Sequence, residues 1–138
     1  MSGRKPRKSL SPREIKRMGL PRQFWRPPVP VEDLWEGANA QLYGFYRDPV
    51  RWIEKGVSLG LWGPPGCGKS TLVASIARRS RLLYQSVYWT SGWKWREDRR
   101  AGRQFSESFT VTDHCLDVDL LVIDDYTAMD WVDRYYGI

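Results

Sequence analysis

Long apolar runs are missing from this 138-residue chain. Leu120–Ile123, among the longest, falls far short of the roughly 20 residues that a membrane-spanning helix needs. No apolar segment follows the basic start, which argues against a secretory signal. Cysteine is scarce: Cys67 and Cys115 alone suggest no disulfide framework and fit a reduced, cytoplasmic setting. The one histidine, His114, stands beside a single cysteine and lacks the ligand count of a zinc site. Internal repeats and low-complexity tracts are also absent. What is present, 41% hydrophobic and 28% charged residues, describes one globular domain with a modest core.

Positive charge is unevenly spread. Nine of the 22 Lys and Arg fall in residues 1–28, against one acid, Glu14; beyond residue 28 acids outnumber bases 15 to 13. Pro6, Pro12, Pro21, Pro27, Pro28 and Pro30 lie in the same region. Residues 1–30 are therefore expected to form a flexible, extended basic arm suited to phosphate backbones or to an acidic partner surface, with solvation as its plainer use. Within it, SPREIKRMG has Ser11 to cap a short helix, Pro12 for its first turn and Gly19 to end it.

Residues 31–138 are expected to be the folded part. The apolar spacing in VEDLWEGANAQLYGFYRDPVRWIEKG predicts two short helices broken near Asp48-Pro49, with Gly56 ending the second. VSLGLW (57–62) predicts a buried parallel strand that opens on a glycine-rich turn. STLVASIARRS predicts a helix with Leu72, Val73, Ile76 and Ala77 on one face, and Arg78, Arg79 and Arg81 at the end where the helix dipole favours cations. QSVYWTS (85–91) predicts a second strand, and VDLLVIDD (118–125) a third, apolar on both faces and so buried. This order argues an α/β fold with a parallel sheet.

GPPGCGKS, Gly63 to Ser70, matches G-x-x-x-x-G-K-[ST] between a predicted strand and a predicted helix, the context the motif requires. Gly66 and Gly68 let backbone N–H groups turn inward as a phosphate nest, and the following helix aims its positive end there. Pro64 and Pro65 stiffen the entry, and Cys67 answers a need for a small residue rather than a nucleophile. Lys69 offers charge to the β- and γ-phosphates. Ser70 offers a hydroxyl to magnesium, and Thr71 continues the nucleotide-binding stretch. Asp124 ends the apolar strand at its carboxyl end, where such a carboxylate holds Mg2+. Asp125 occupies the position of an acid that orients attacking water, one methylene shorter than glutamate. Lys69 and Asp125 are thus the expected catalytic pair, with ATP and Mg2+ as cofactors.

Taken in order, MGLPRQFW, GVSLGLWGPPGCGKSTLVASIARR, SVYWTSGW and LDVDLLVIDDY resemble the AAA+ ATPases of the DnaC/IstB type, bacterial helicase loaders and their transposition relatives. The resemblance spans about residues 18–130. It implies an αβα P-loop ATPase that assembles as a homo-oligomer, binds single-stranded DNA and meets a replicative helicase through its N-terminal arm. It also implies a fourth strand between the first and third, a polar sensor residue, an arginine finger and a helical lid. No residues here correspond to these, so the chain is expected to be the front part of such a domain. Their absence would expose Leu59, Leu61, Leu121 and Ile123. SGWKWREDRRAGRQF would lie where such loaders face DNA. There Lys94, Arg96, Arg99, Arg100 and Arg103 are the candidate phosphate contacts, while Trp93 and Trp95 are expected to pack on the core.

LWGPPGCGKS, YWTSGWKW and LVIDDY are similar as well to the helicase domain of replication initiators of small circular single-stranded DNA viruses. The His-hydrophobe-His nicking domain of those proteins has no counterpart before residue 114. A nucleoside or nucleotide kinase would use the same loop, but it needs an arginine-bearing lid for which little chain remains. A non-catalytic, nucleotide-dependent binding module is the third alternative.

Overall fold

Ser11 starts the first helix by the mechanism its sequence predicts. In the computed structural model, which describes residues 4–27, 40–64, 68–97 and 117–125, α1 spans Pro12–Met18. The Ser11 hydroxyl accepts from the Glu14 N–H at 3.2 Å, and the Glu14 carboxylate accepts from the Ser11 N–H at 3.4 Å, a reciprocal capping box. Gly19 ends the helix in the left-handed region at φ +78° and donates its N–H to the Lys16 carbonyl. A 3-10 turn follows at Arg22–Phe24.

Two short helices come next, α2 (Ala40–Arg47) and α3 (Pro49–Glu54). Asp48 separates them because Pro49 restricts the residue before it and cannot donate within a continuous helix. Gly56, at φ +71°, closes α3. Residues 31–39 of the predicted helical stretch lie outside the described residues.

The long helix α4 (Lys69–Leu82) is followed by β1 (Val87–Ser91), a helical segment at 92–97, and β2 (Leu120–Asp124). The strands pair in parallel from Val87↔Leu120 to Ser91↔Asp124. The register is set at their amino ends. The Asp119 carboxylate accepts from the Ser86 N–H (2.8 Å) and hydroxyl (3.0 Å), while the Ser86 hydroxyl accepts from the Asp119 N–H at 2.8 Å. The Leu120 N–H then donates to the Ser86 carbonyl.

Helix α4 lies between two apolar clusters. On one side Ala74 and Ala77 meet Val87, Trp89 and Val122 together with Leu10, Ile15, Met18, Leu20 and Phe24. On the other, Ile76 meets Leu42 and Phe45, with Leu61, Leu72 and Leu120 packed against them. Alanine at 74 and 77 lets the neighbouring chain approach the helix closely, and both are fully buried.

Several expectations are corrected. The amino-terminal segment is not an extended arm over residues 10–25: its apolar side chains complete the first core, and the Phe24 and Trp89 rings lie 5.7 Å apart. Its proline and charge content hid a small apolar set spaced to face one way. VSLGLW is not a strand; residues 57–62 have no regular structure, and Val57, Leu59 and Trp62 are exposed. A strand needs a neighbour for its backbone N–H and C=O groups, and among the described residues none pairs with this segment. Only Leu61 turns inward to a core. Of β2 only Val122 is buried, because β1 covers one edge and no described strand covers the other. Leu121 and Ile123 are half-buried, neither fully exposed nor fully buried as expected of them.

Candidate functional site

The start of α4 is built for an anion. Its N-cap is Gly68, at φ +93°, and no side chain hydrogen-bonds to the cap. This end of the 14-residue helix carries the positive half of its dipole, and the cap contributes no side-chain acceptor to compete there. Serine or aspartate at the cap would have supplied one. The glycine conformation at 68 is one that side-chain-bearing residues rarely adopt.

Lys69 opens the helix and folds back over the loop. Its Nζ donates to the carbonyls of Gly63 (2.6 Å) and Pro64 (3.0 Å). Those two backbone acceptors hold the ammonium at the mouth of the turn. No side-chain pattern announces them, and they were not among the sequence-predicted roles of Gly63 and Pro64. Pro65, Gly66 and Cys67 lie outside the described residues. Thr71 sits in the first turn and accepts, through its carbonyl, from the Ser75 hydroxyl.

Ser70 and Asp124, 54 residues apart, meet directly. The serine hydroxyl donates to both carboxylate oxygens of Asp124, at 3.1 and 3.2 Å. The parallel register brings Asp124 to the carboxyl end of the sheet opposite Ser91, and α4 begins beside it. A hydroxyl and a carboxylate form an all-oxygen set, which suits a hard cation such as Mg2+ that keeps several waters and completes its shell with phosphate oxygens. Among the described residues no group of three or more His, Cys, Asp or Glu could hold a metal unaided. The two oxygen donors therefore fit a cation shared with a nucleotide rather than a closed metal cage.

Asp125 follows at φ +54°, exposed, with its N–H donating to the Asp124 carboxylate at 3.1 Å. The left-handed turn ends the strand at Asp125.

The second predicted cluster is only partly in view. Ser91 caps the segment at 92–97, its hydroxyl accepting from the Lys94 N–H at 3.1 Å. Lys94 is exposed and Arg96 half-buried, whereas Arg99, Arg100 and Arg103 lie outside the described residues. Trp93 is 63% exposed, contrary to the expectation that it packs on the core; Trp95 is half-buried. The short segment has one inward face, occupied by Gly92 and Trp95, and Trp93 falls on the other. His114 and Cys115 also lie outside the described residues.

The arginines at the end of α4 do more than complement its dipole. Arg78 is buried, and its guanidinium donates to the carbonyls of Phe24 (3.2 Å) and Trp25 (3.0 Å). Arg79 donates to the Arg47 carbonyl at 2.9 Å and lies 5.3 Å from the centre of the Tyr46 ring. Each arginine fastens a different neighbouring segment to the helix that starts at the phosphate loop. Burial pushes the Arg78 guanidinium below the usual arginine range.

No described helix is long and apolar enough to cross a membrane. Compared with known proteins, the sequence matches the viral superfamily 1 RNA helicase core domain over residues 61–135, which takes in the phosphate loop, α4, both strands and Asp124. Neither the curated proteins nor the solved structures contain a match to it. The match supports a helicase-like P-loop fold without singling out the loader type. It covers more than half of the chain, which therefore belongs to the viral superfamily 1 RNA helicase core domain family, a family of nucleotide-binding P-loop proteins.

Proposed function

We propose that this chain binds ATP with Mg2+ and couples the nucleotide to single-stranded nucleic acid as a helicase-type ATPase. The observation that carries this reading is the Ser70–Asp124 contact at the uncapped start of α4. In this reading the α4 amino terminus and the loop amides receive the phosphates. Lys69 exchanges the Gly63 and Pro64 carbonyls for β- and γ-phosphate oxygens. Ser70 and Asp124 share the cation with those oxygens. Asp125, exposed at the strand end, orients the attacking water.

Two finer readings divide the support. A helicase loader of the DnaC/IstB type rests on the order of the Gly-Leu-Pro segment, the loop and the VDLLVIDD strand. In that case a replicative helicase would meet the exposed face of residues 4–26, and subunits would assemble around single-stranded DNA. A viral helicase rests on the family match across residues 61–135.

Isothermal titration with ATP and Mg2+ tests the nucleotide site. Binding is expected for the parent chain and its loss for Lys69→Ala; equal affinity in the two would sink the proposal. Single-stranded DNA and RNA, added separately to an ATPase assay, then divide the finer readings. Stimulation by DNA without duplex unwinding favours the loader, and RNA-stimulated unwinding favours the viral helicase.

A further inference from the structure

Every Lys and Arg between residues 4 and 26 except Arg7 is exposed. The one acid of that stretch, Glu14, is already engaged: its carboxylate takes Arg7 in a two-pronged contact and Arg81 at 3.2 Å. Arg13, Lys16, Arg17 and Arg22 are carried on a packed support. Leu10, Ile15, Met18, Leu20 and Phe24 anchor the segment in the main core, and Arg78 clasps the carbonyls of Phe24 and Trp25 from α4.

The exposed charges are contiguous. Arg13 and Arg17, one helical turn apart, line one surface depression beside Glu14, a cavity of about 200 Å³. Lys16 and Arg22 both lie over the Trp25 ring, 5.9 and 5.6 Å from its centre. The indole is fixed in place, its N–H donating to the Leu20 carbonyl at 2.8 Å. Like charges at i, i+3 and i, i+4 spacing cost a short helix a few tenths of a kcal/mol each. A face that carries them with its only acid used elsewhere is complementary to a polyanion.

We propose that this face, centred on Arg13, Lys16, Arg17 and Arg22, grips the phosphodiester backbone of a single-stranded nucleic acid, through residues other than those of the nucleotide site and of the basic stretch in residues 92–103. The inference rests on the helicase-type reading for its choice of partner. Lipid is the poorer fit, since no large apolar side chain is exposed between residues 4 and 27 to enter a bilayer. The backbone chemistry is common to DNA and RNA, and phosphate contacts carry affinity without sequence information.

The test is fluorescence anisotropy of labelled oligo(dT) and oligo(rU), without nucleotide, across a salt series. Replacing Arg13, Lys16, Arg17 and Arg22 together by Gln is expected to weaken binding by about tenfold or more. It should also flatten the log–log salt slope by about 2–3, at about 0.7 for each single-strand phosphate lost. ATP binding by the same variant is expected to stay intact, because none of the four residues belongs to the phosphate loop. That readout separates failure here from failure of the nucleotide site. Parent-like affinity and slope in the variant overturn the proposal, as does a parent chain that binds phosphatidylserine vesicles but neither oligonucleotide. Should the variant not fold, photo-cross-linking of the unaltered chain to oligo(dU) decides. Adducts within residues 13–26 are expected, and adducts confined to residues 91–104 would overturn the assignment.

Discussion

Glu14 shows how much one side chain can organise. It completes the capping box with Ser11 and accepts from Arg7 and from Arg81 at the far end of α4. The Arg7 hydrogen bond, more than the Ser11 bonds, holds its carboxyl well below the usual range, at about 2. A folded-state pKa below the unfolded one means stability that is present above the ordinary glutamate range and lost as pH falls toward 2. Glu14→Gln is therefore expected to lower the melting temperature by a few degrees near neutral pH, with the gap closing at about pH 2; parallel thermal melts check it. The effect is modest because the ion pairs are partly exposed. Ser11 and Gly19 were legible as caps, since a cap depends on residues within one turn. The partnership with Arg81 was not legible, because only folding brings those side chains together. The same holds in the site: Lys69, Ser70 and Asp124 could be named from their motifs, but the Gly63 and Pro64 carbonyls that hold Lys69 carry no side-chain signature.

Helices were the most readable elements. Pro49 and Gly56 bound α3 where local backbone chemistry says they must, and α4 follows the glycine loop directly. Their hydrogen bonds close within the segment, so sequence alone can place them. Strands differ, because their bonds close across chains of residues far apart. Both QSVYWTS and VDLLVIDD form strands because each has the other, whereas VSLGLW, no less apolar, has no described neighbour and forms none. Gly19 links the two kinds of element. Its left-handed turn ends α1, and a Cβ there would stand 2.5 Å from the Trp89 carbonyl on β1. Gly19→Ala thus combines backbone strain with a clash against a strand, and is expected to cost about 2 kcal/mol. An unfolding free energy from urea titration lowered by less than about 0.5 kcal/mol would show that the turn and β1 can move apart.

Across the whole molecule, α4 joins what the sequence presents as separate parts. Its first turn meets Asp124 through Ser70, its middle separates two cores, and its carboxyl end binds the amino-terminal segment through Arg78 and Arg81. Arg78→Ala would leave the carbonyls of Phe24 (buried) and Trp25 (partly buried) without that donor, a loss of about 1–3 kcal/mol. Tryptic cleavage within residues 13–26 is expected to speed up several-fold in that variant, with Arg78→Lys intermediate; unchanged cleavage would mean the segment is held by its apolar contacts alone. The basic segment was legible as charge and proline but not as a packed layer, because five apolar side chains spread over fifteen residues make no periodic signal until a surface receives them. Sequence alone determined the helices with their caps and the acid at the strand end, since each depends on chemistry local to a few residues. Tertiary structure decided which apolar runs became strands, which cations stayed exposed and what Ser70 touches, because those outcomes depend on partners that only the folded chain brings within reach.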